Sequence, residues 1–326
     1  MIKTDYTKEE LKEILREYIT NYKDTLNLPS NLTFGIEIEE AGINTMTLQK
    51  ILNGKWKISP ELSIKKVTGG EASSPIFIDS PKTWQEIFDV CNILKENKAY
   101  ITEEIAGHIH FGNKNLIDND PIKLLNIMKM WSAYENVIYR FSKGEFSTLR
   151  DVAYDYASPI ARDVKKISLM PFIEKQNIRN MMGLFFTRRF RGLNIYNMYS
   201  YYKLTNGIKF NNEIKASEIK DTIEVRCPNG TLDPKLWQNN INFFSKLLLY
   251  AVSDEFDSEK IDYILNSLEF QELILLDKKI DLSYLSYMNI DMDLAIDLAD
   301  TIFKDETEKF DFLKQYTKKG RTLVKH

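Results

Sequence analysis

Three short stretches of the chain alternate polar and apolar residues, a pattern typical of β-strands with one covered face. They lie at residues 32–41, 103–112 and 221–228. Because successive side chains of a strand point to opposite faces, residues i and i+2 share a face. Each stretch therefore predicts one face with charged or imidazole groups and an opposite face of Ile or Val.

Sequence signals for the starts of helices occur along much of the remaining chain. Capping-box sequences stand at residues 7–10 and 83–86, and Asp-Pro pairs at 120–121 and 233–234 begin two longer amphipathic segments. The helix after the second capping box presents an apolar face at Trp84, Ile87, Phe88, Cys91 and Leu94. The first helix is predicted to reach about Tyr22. Each amphipathic segment predicts a helix that packs one face on a core.

Three shorter elements are also predicted. A strand is expected from Trp56 to about Ile64, a short helix over 171–183, and a tyrosine-rich strand after Asn194. The last segment, residues 253–326, reads as mostly helical.

The order of these elements predicts the fold class and the domains. Helices separated by strands indicate an α+β fold, and the alternation within the strands favours a mainly antiparallel sheet covered by helices on one face. We predict an N-terminal helix at 1–30, a main domain at 31–252, and a helical C-terminal extension at 253–326 that packs on the same domain.

Composition limits the classes of partner. With 326 residues, 43% of them apolar, the chain can bury a substantial core, and its net charge of −3 gives no reason to expect nucleic acid or anionic membrane as a partner. Two cysteines do not form a disulfide framework. The N-terminus lacks the apolar run of a signal peptide, and no stretch is apolar enough to span a membrane. A cytoplasmic protein is the expectation.

The polar positions of the predicted strands carry groups that suit a metal ion. Glu37 and Glu39 share a face, as do His108 with His110 and Glu224 with Arg226. The two glutamates would lie roughly 6.7 Å apart and repel by about 2.5 kcal/mol at an effective dielectric constant near 20. A divalent cation relieves this repulsion, and oxygen ligands with an occasional imidazole suit Mg²⁺ or Mn²⁺.

An ordered set of motifs then resembles the amidoligase family, which is related to glutamine synthetases and glutamate–cysteine ligases. The motifs are Phe34-Gly-Ile-Glu-Ile-Glu39, a Trp56-led segment reaching Ser63, Gly70-Glu71 with Ser74-Pro75, Gly107-His-Ile-His110, Arg191-Gly-Leu-Asn194, and Ile223-Glu-Val-Arg226 followed by Gly230-Thr-Leu-Asp233. The resemblance covers about residues 32–245. It implies a glutamine synthetase-like catalytic domain, in which the polar face of a curved antiparallel sheet binds ATP and divalent ions.

The resemblance also implies roles for individual residues. The implied metal ligands are Glu37, Glu39, Glu71, His108 and Glu224. His110 would approach the nucleotide phosphates, and Arg226 would bind a substrate carboxylate or the transferring phosphoryl group. A further anion clamp is expected among Arg188, Arg189 and Arg191, and Asn194 would orient substrate or nucleotide. Where many relatives have Asp in the Trp-led segment, this chain has Glu61.

The implied reaction is ATP-dependent amide formation through an acyl phosphate, with Mg²⁺ or Mn²⁺ as cofactor. Its substrates would be a small-molecule or peptide carboxylate and an amine. Three alternatives stay open at this point: a phosphotransferase on the same fold, a zinc hydrolase that uses the two histidines, and a non-catalytic nucleotide-binding protein. The hydrolase is disfavoured because carboxylates outnumber imidazoles and the motifs contain no Cys ligands. The sequence specifies neither the substrates, nor the general base, nor the oligomeric state.

Overall fold

Within the part of the chain that the structure describes, the strands form a six-stranded antiparallel sheet with the spatial order β2-β3-β1-β4-β6-β5. The computed structural model describes residues 6–60, 68–150, 153–185, 190–208, 220–267 and 289–322. The strands are β1 (Phe34–Ala41), β2 (Lys57–Pro60), β3 (Gly69–Ser73), β4 (Gly107–Gly112), β5 (Leu193–Asn194) and β6 (Thr222–Val225). The predicted α+β class and the antiparallel pairing are confirmed.

Helices fill most of the remaining described chain. They are α1 (Lys8–Glu17), α2 (Thr45–Ile51), α3 (Pro81–Glu96), α4 (Pro121–Ala133), α5 (Glu135–Ser142), α6 (Ala153–Tyr156), α7 (Ala161–Ser168), α8 (Ile178–Phe185), α9 (Tyr196–Thr205), α10 (Pro234–Ala251), α11 (Ser258–Asn266), α12 (Met292–Ile302) and α13 (Glu306–Thr317), with a 3₁₀ turn at Ile173–Lys175. Among these described helices, none combines the length and apolarity that crossing a bilayer requires.

One face of the sheet is apolar and packs against helices. Phe34, Ile36 and Ile38 of β1 are almost fully buried. The ring of Phe34 stacks on Trp84 of α3 with 5.7 Å between the ring centroids. On β4, Gly107 lies so close to Trp237 of α10 that an added Cβ atom would lie 2.8 Å from the indole ring. The alternation in sequence therefore predicts correctly which residues pack on the helices, but the opposite side is not open, since His108 and Glu224 are also buried.

Gly107→Ala is expected to destabilise the protein by about 1–3 kcal/mol, because the new methyl group overlaps Trp237 in a packed core. Gly183→Ala is the matched control: it lies within α8, and its added Cβ atom would make only an ordinary contact at 3.8 Å with Tyr199. Urea unfolding of both variants tests this expectation. Equal stability of Gly107→Ala and wild type would contradict it.

Most helix starts agree with the sequence signals. Thr7 and Glu10 form the predicted capping box of α1, and Asp120 and Asp233 cap α4 and α10. The cap of α3 is a correction: Ser80, three residues before Thr83, accepts the capping hydrogen bond. Thr83 instead donates its hydroxyl proton to the carbonyl of Ile78.

Three other predictions also need correction. Phe88 is 38% exposed rather than part of the buried face of α3. The tyrosine-rich residues after Asn194 form the helix α9 instead of a strand. The helix predicted at 171–183 is α8, which begins at Ile178 after a separate 3₁₀ turn. In α9 tertiary packing overrides the strand preference of tyrosine, and Met198 and Ser200 of this helix are buried.

Candidate metal centre

The register of the strands brings the predicted ligands opposite one another. Glu37 of β1 is paired with His108 of β4, and Glu39 of β1 with Glu71 of β3. His110 of β4 is paired with Glu224 of β6. Directly paired residues of an antiparallel sheet project to the same side. These side chains therefore share the face opposite the apolar one, although they come from four strands.

Two overlapping groups of side chains have the spacing of a metal site. Glu37, Glu71 and His108 form one group, and Glu37, His110 and Glu224 form the other; in each, one ligand atom per residue lies within 4.8 Å of the others. Glu37 belongs to both groups. Its Oε2 lies 3.2 Å from His108 Nδ1, and its Oε1 lies 3.0 Å from His110 Nε2.

The histidines keep nitrogen atoms available for a cation. Because Glu37 can only accept, His108 places its ring proton on Nδ1, and Nε2 keeps its lone pair. The Nε2 atoms of His108 and His110 are both buried and make no hydrogen bond with acceptable geometry within the described part of the chain. Buried polar atoms are rarely left without partners. A set of carboxylates and imidazoles therefore fits a divalent cation such as Mg²⁺ or Mn²⁺.

The protonation states also favour a cation. Burial, reinforced by the positive charge of Arg226, lowers the pKa of His108 to about 4. Burial raises the pKa of Glu37, but the neighbouring imidazoles of His110 and His108 outweigh this effect and hold the pKa well below its usual range. Near neutral pH the site therefore presents a neutral imidazole and an ionised carboxylate, the forms that bind metals.

Glu39 and Glu71 are held by neighbouring donors. The backbone N–H of Ala106 donates to Glu39 Oε2 at 2.6 Å. The hydroxyl groups of Ser59 and Ser73 each donate to Glu71 Oε1 at 3.1 Å. These hydrogen bonds fix the direction of each carboxylate.

Glu224 is positioned by two of the other predicted site residues. Arg226 pairs with Glu224 Oε1 through its guanidinium group. Asn194 donates from Nδ2 to Glu224 Oε2 at 2.8 Å, while its own carbonyl oxygen accepts from Tyr196. The pKa of Glu224 is lowered, because Arg226 and the histidines outweigh the opposing effect of burial. The contacts of Asn194 thus orient a candidate ligand, and its predicted contact with substrate or nucleotide stays a prediction.

Of the three arginines in the predicted cluster, only Arg191 lies within the described residues. Arg191 pairs with Asp163, and its guanidinium also donates to the carbonyl of Pro159 at 2.9 Å. These contacts hold Arg191 to the segment around α7. Its role as an anion clamp stays a prediction. Arg188, Arg189 and Glu61 lie outside the described residues.

Several residues that the motifs did not include also contact the site. Lys220 reaches Glu37 Oε1 at 2.8 Å, and Thr222 contacts His110 Nδ1 through its hydroxyl at 3.2 Å. Both could have been found by extending the alternation backwards from Arg226 and Glu224 in steps of two. Lys220 and Thr222 also line a cavity of about 470 Å³ that borders Glu37 and His110.

Glu40 lies on the apolar side of β1 and has a separate role. It is fully buried, and burial raises its pKa to about 7 although backbone N–H groups of Ile43 and Gly70 act in the opposite direction. A carboxyl group whose pKa is raised on folding stabilises the protein at pH values below 4.5, the ordinary pKa of the group. This contribution is lost as the pH rises through about 7.

The stability of Glu40→Gln relative to wild type should therefore increase, by on the order of 2 kcal/mol, as the pH is raised from 5 to 8. The uncharged amide keeps an acceptor oxygen for Ile43 but never ionises. Urea unfolding of both proteins at the two pH values measures the difference. The same stability difference at both pH values would show that Glu40 does not titrate in this range.

A comparison with protein families identifies the family of the chain. The model of the family described as "putative amidoligase enzyme" matches residues 54–248, more than half of the chain. The chain belongs to this family of ligase-type enzymes, and the resemblance found from its motifs is confirmed. The match includes Glu71, both histidines and Glu224, whereas β1 with Glu37 and Glu39 precedes it. No curated protein sequence matches the chain.

Proposed function

We propose that the protein is an ATP-dependent carboxylate–amine ligase that forms an amide bond through an acyl phosphate. The observation that carries the proposal is the cluster of Glu37, Glu71, His108, His110 and Glu224 on one sheet face in a member of the amidoligase family. Amide formation in water needs an activated carboxylate, and phosphorylation by ATP supplies a good leaving group.

The residues of the cluster would hold one or two divalent cations. Bound there, Mg²⁺ or Mn²⁺ would neutralise phosphate charge and polarise the transferring phosphoryl group. Phosphoryl transfer depends mainly on positioning and charge neutralisation. The adjacent cavity is bordered by Lys220, whose ammonium group offers hydrogen-bond donors to a phosphate group.

Arg226 is proposed to bind the second anion, the substrate carboxylate or the acyl phosphate. Its side chain is mostly buried, and its Nε donates to the carbonyl of Tyr156 at 3.0 Å, so the orientation of the guanidinium is fixed. A fixed guanidinium can make two parallel hydrogen bonds to a carboxylate or phosphate.

The proposed reaction has two chemical steps. A substrate carboxylate oxygen attacks the γ-phosphorus, the bond from that phosphorus to the bridging oxygen breaks, and ADP leaves. The amine nitrogen then attacks the acyl carbon, the carbon–oxygen bond to the phosphoryl group breaks, and inorganic phosphate leaves. The amine loses one proton in the second step.

Trapping with hydroxylamine tests the proposal whatever the natural amine is, because hydroxylamine attacks acyl phosphates directly. The protein is incubated with ATP, Mg²⁺, hydroxylamine and a set of amino-acid and peptide carboxylates, and hydroxamate is detected as its coloured iron complex. An ¹⁸O-labelled carboxylate that gives a hydroxamate should also transfer one ¹⁸O atom to the released phosphate. Glu224→Gln serves as the inactive comparison.

Other outcomes separate the competing functions. A stable phosphorylated product formed without any amine would indicate a phosphotransferase on the same fold. ATP-independent hydrolysis that requires Zn²⁺ would indicate a hydrolase. Absence of ATP binding by calorimetry in excess Mg²⁺ would overturn the ligase proposal and leave a protein without nucleotide chemistry.

A further inference from the structure

Lys220 places an ammonium group inside the acidic cluster. Its Nζ lies 2.8 Å from Glu37 Oε1, the same oxygen that lies 3.0 Å from His110 Nε2. The lysine side chain is 47% exposed, whereas that of Glu37 is only 12% exposed. A cationic group thus covers the solvent side of the residue that is common to both candidate metal groups.

The charges of the cluster explain why the ammonium group of Lys220 is held there. The carboxylates of Glu37, Glu39, Glu71 and Glu224 all line the face. Within the described chain, Arg226 pairs with Glu224 and Lys220 pairs with Glu37. The ammonium group of Lys220 is therefore a counter-ion within the cluster.

A divalent cation and Lys220 compete for the same carboxylate. Each of the two candidate groups requires Glu37, and its Oε1 is already in contact with the ammonium. Two positive ions beside one oxygen repel each other strongly in a partly buried site. Metal binding at either group is therefore expected to push the ammonium away from Glu37.

We propose that Lys220 is an exchangeable counter-ion: it neutralises Glu37 in the metal-free protein and turns to an anionic phosphate group once a divalent cation binds. The identity of that phosphate as part of the nucleotide rests on the proposed function. The exchange couples the two binding events, because the metal releases the ammonium that the phosphate then uses.

The surroundings of Lys220 permit this exchange. Its side chain borders the cavity of about 470 Å³ together with Ser73, Ser74 and Thr222. Lysine carries its charge on a flexible four-carbon stem, so the ammonium can move several ångströms without a change in the backbone. Since the side chain is half exposed, its movement does not open the apolar core.

Titration with Mn²⁺ alone tests the first half of the proposal. Lys220→Met should bind Mn²⁺ about tenfold more tightly than wild type, because loss of the ion pair frees Glu37. Lys220→Arg retains the charge and should bind Mn²⁺ about as wild type does. Lys50→Met, which removes an exposed lysine on α2, is the matched control. Circular dichroism checks that each variant is folded.

Titration with ADP at saturating Mn²⁺ tests the second half. Lys220→Met should bind ADP about tenfold more weakly than wild type, whereas Lys50→Met should not differ. Unchanged or weaker Mn²⁺ binding by Lys220→Met would overturn the role as counter-ion, and unchanged ADP binding would overturn the role as phosphate ligand.

Failure of the proposed function is distinguishable from failure of this inference. If wild type binds Mn²⁺ but not ADP, the nucleotide function and the phosphate contact are both refuted, while the Mn²⁺ comparison still decides whether Lys220 competes with the cation. If wild type does not bind Mn²⁺, the metal site and the exchange are refuted together.

Discussion

Glu37→Gln is expected to weaken Mn²⁺ binding by at least about 100-fold and to remove most ATP-dependent activity. Glu37 is shared by both candidate groups, and its oxygens contact His108, His110 and Lys220. The amide has the same shape as the carboxylate but carries no charge, so the fold should persist. Calorimetric titration with Mn²⁺ and hydroxamate formation measure the two losses.

Two further variants make this expectation specific. Glu224→Gln should also lose most Mn²⁺ affinity and activity, because Glu224 completes the group with Glu37 and His110. Glu96→Gln removes an exposed carboxylate at the end of α3 and should behave like wild type. Wild-type turnover and Mn²⁺ affinity in both Glu37→Gln and Glu224→Gln would refute the metal site.

Arg150→Met is expected to cost about 3–5 kcal/mol of stability. The guanidinium of Arg150 is buried and donates to three consecutive carbonyl groups: those of Arg226 at 2.8 Å, Cys227 at 3.2 Å and Pro228 at 2.7 Å. Methionine fills a similar volume but leaves these acceptors without their donor. Urea unfolding gives the loss of stability, and the slope of the transition shows whether it remains cooperative.

The same substitution should also disturb the site, because the carbonyls that Arg150 holds follow directly after Glu224 and Val225 in the chain. Arg150→Lys is the conservative comparison. Its single ammonium can reach only some of the three carbonyls, so an intermediate loss of stability is expected. A change below about 1 kcal/mol in Arg150→Met would show that water replaces the guanidinium at no great cost.

The strands of the site could be predicted from sequence because their signal is local. Glu37 and Glu39, His108 and His110, and Glu224 and Arg226 each repeat a charged or ligating group at the two-residue period of a strand. Alternation does not predict which strands pair with one another. That Glu71 meets Glu39, and that β1 lies between β3 and β4, are seen only in the structure.

The features that sequence reasoning misses depend on contacts between distant parts of the chain. Arg150 lies 76 residues before Arg226, whose carbonyl it holds, and no spacing rule connects them. The residues of α9 predict a strand because tyrosine favours strands, but tertiary packing decides otherwise. Lys220 follows the same alternation as Glu224, yet a single lysine is common on any surface, so its position beside Glu37 becomes evident only in three dimensions.

The central position of β1 has a practical consequence for protein production. A fragment cut at the limits of the family match, residues 54–248, would lack the strand between β3 and β4. Both of those strands would then expose unpaired backbone groups along an apolar surface, a combination that promotes aggregation. Expression plasmids for crystallisation should therefore begin upstream of Phe34 and preserve the hydrogen-bonded partner of each neighbouring strand.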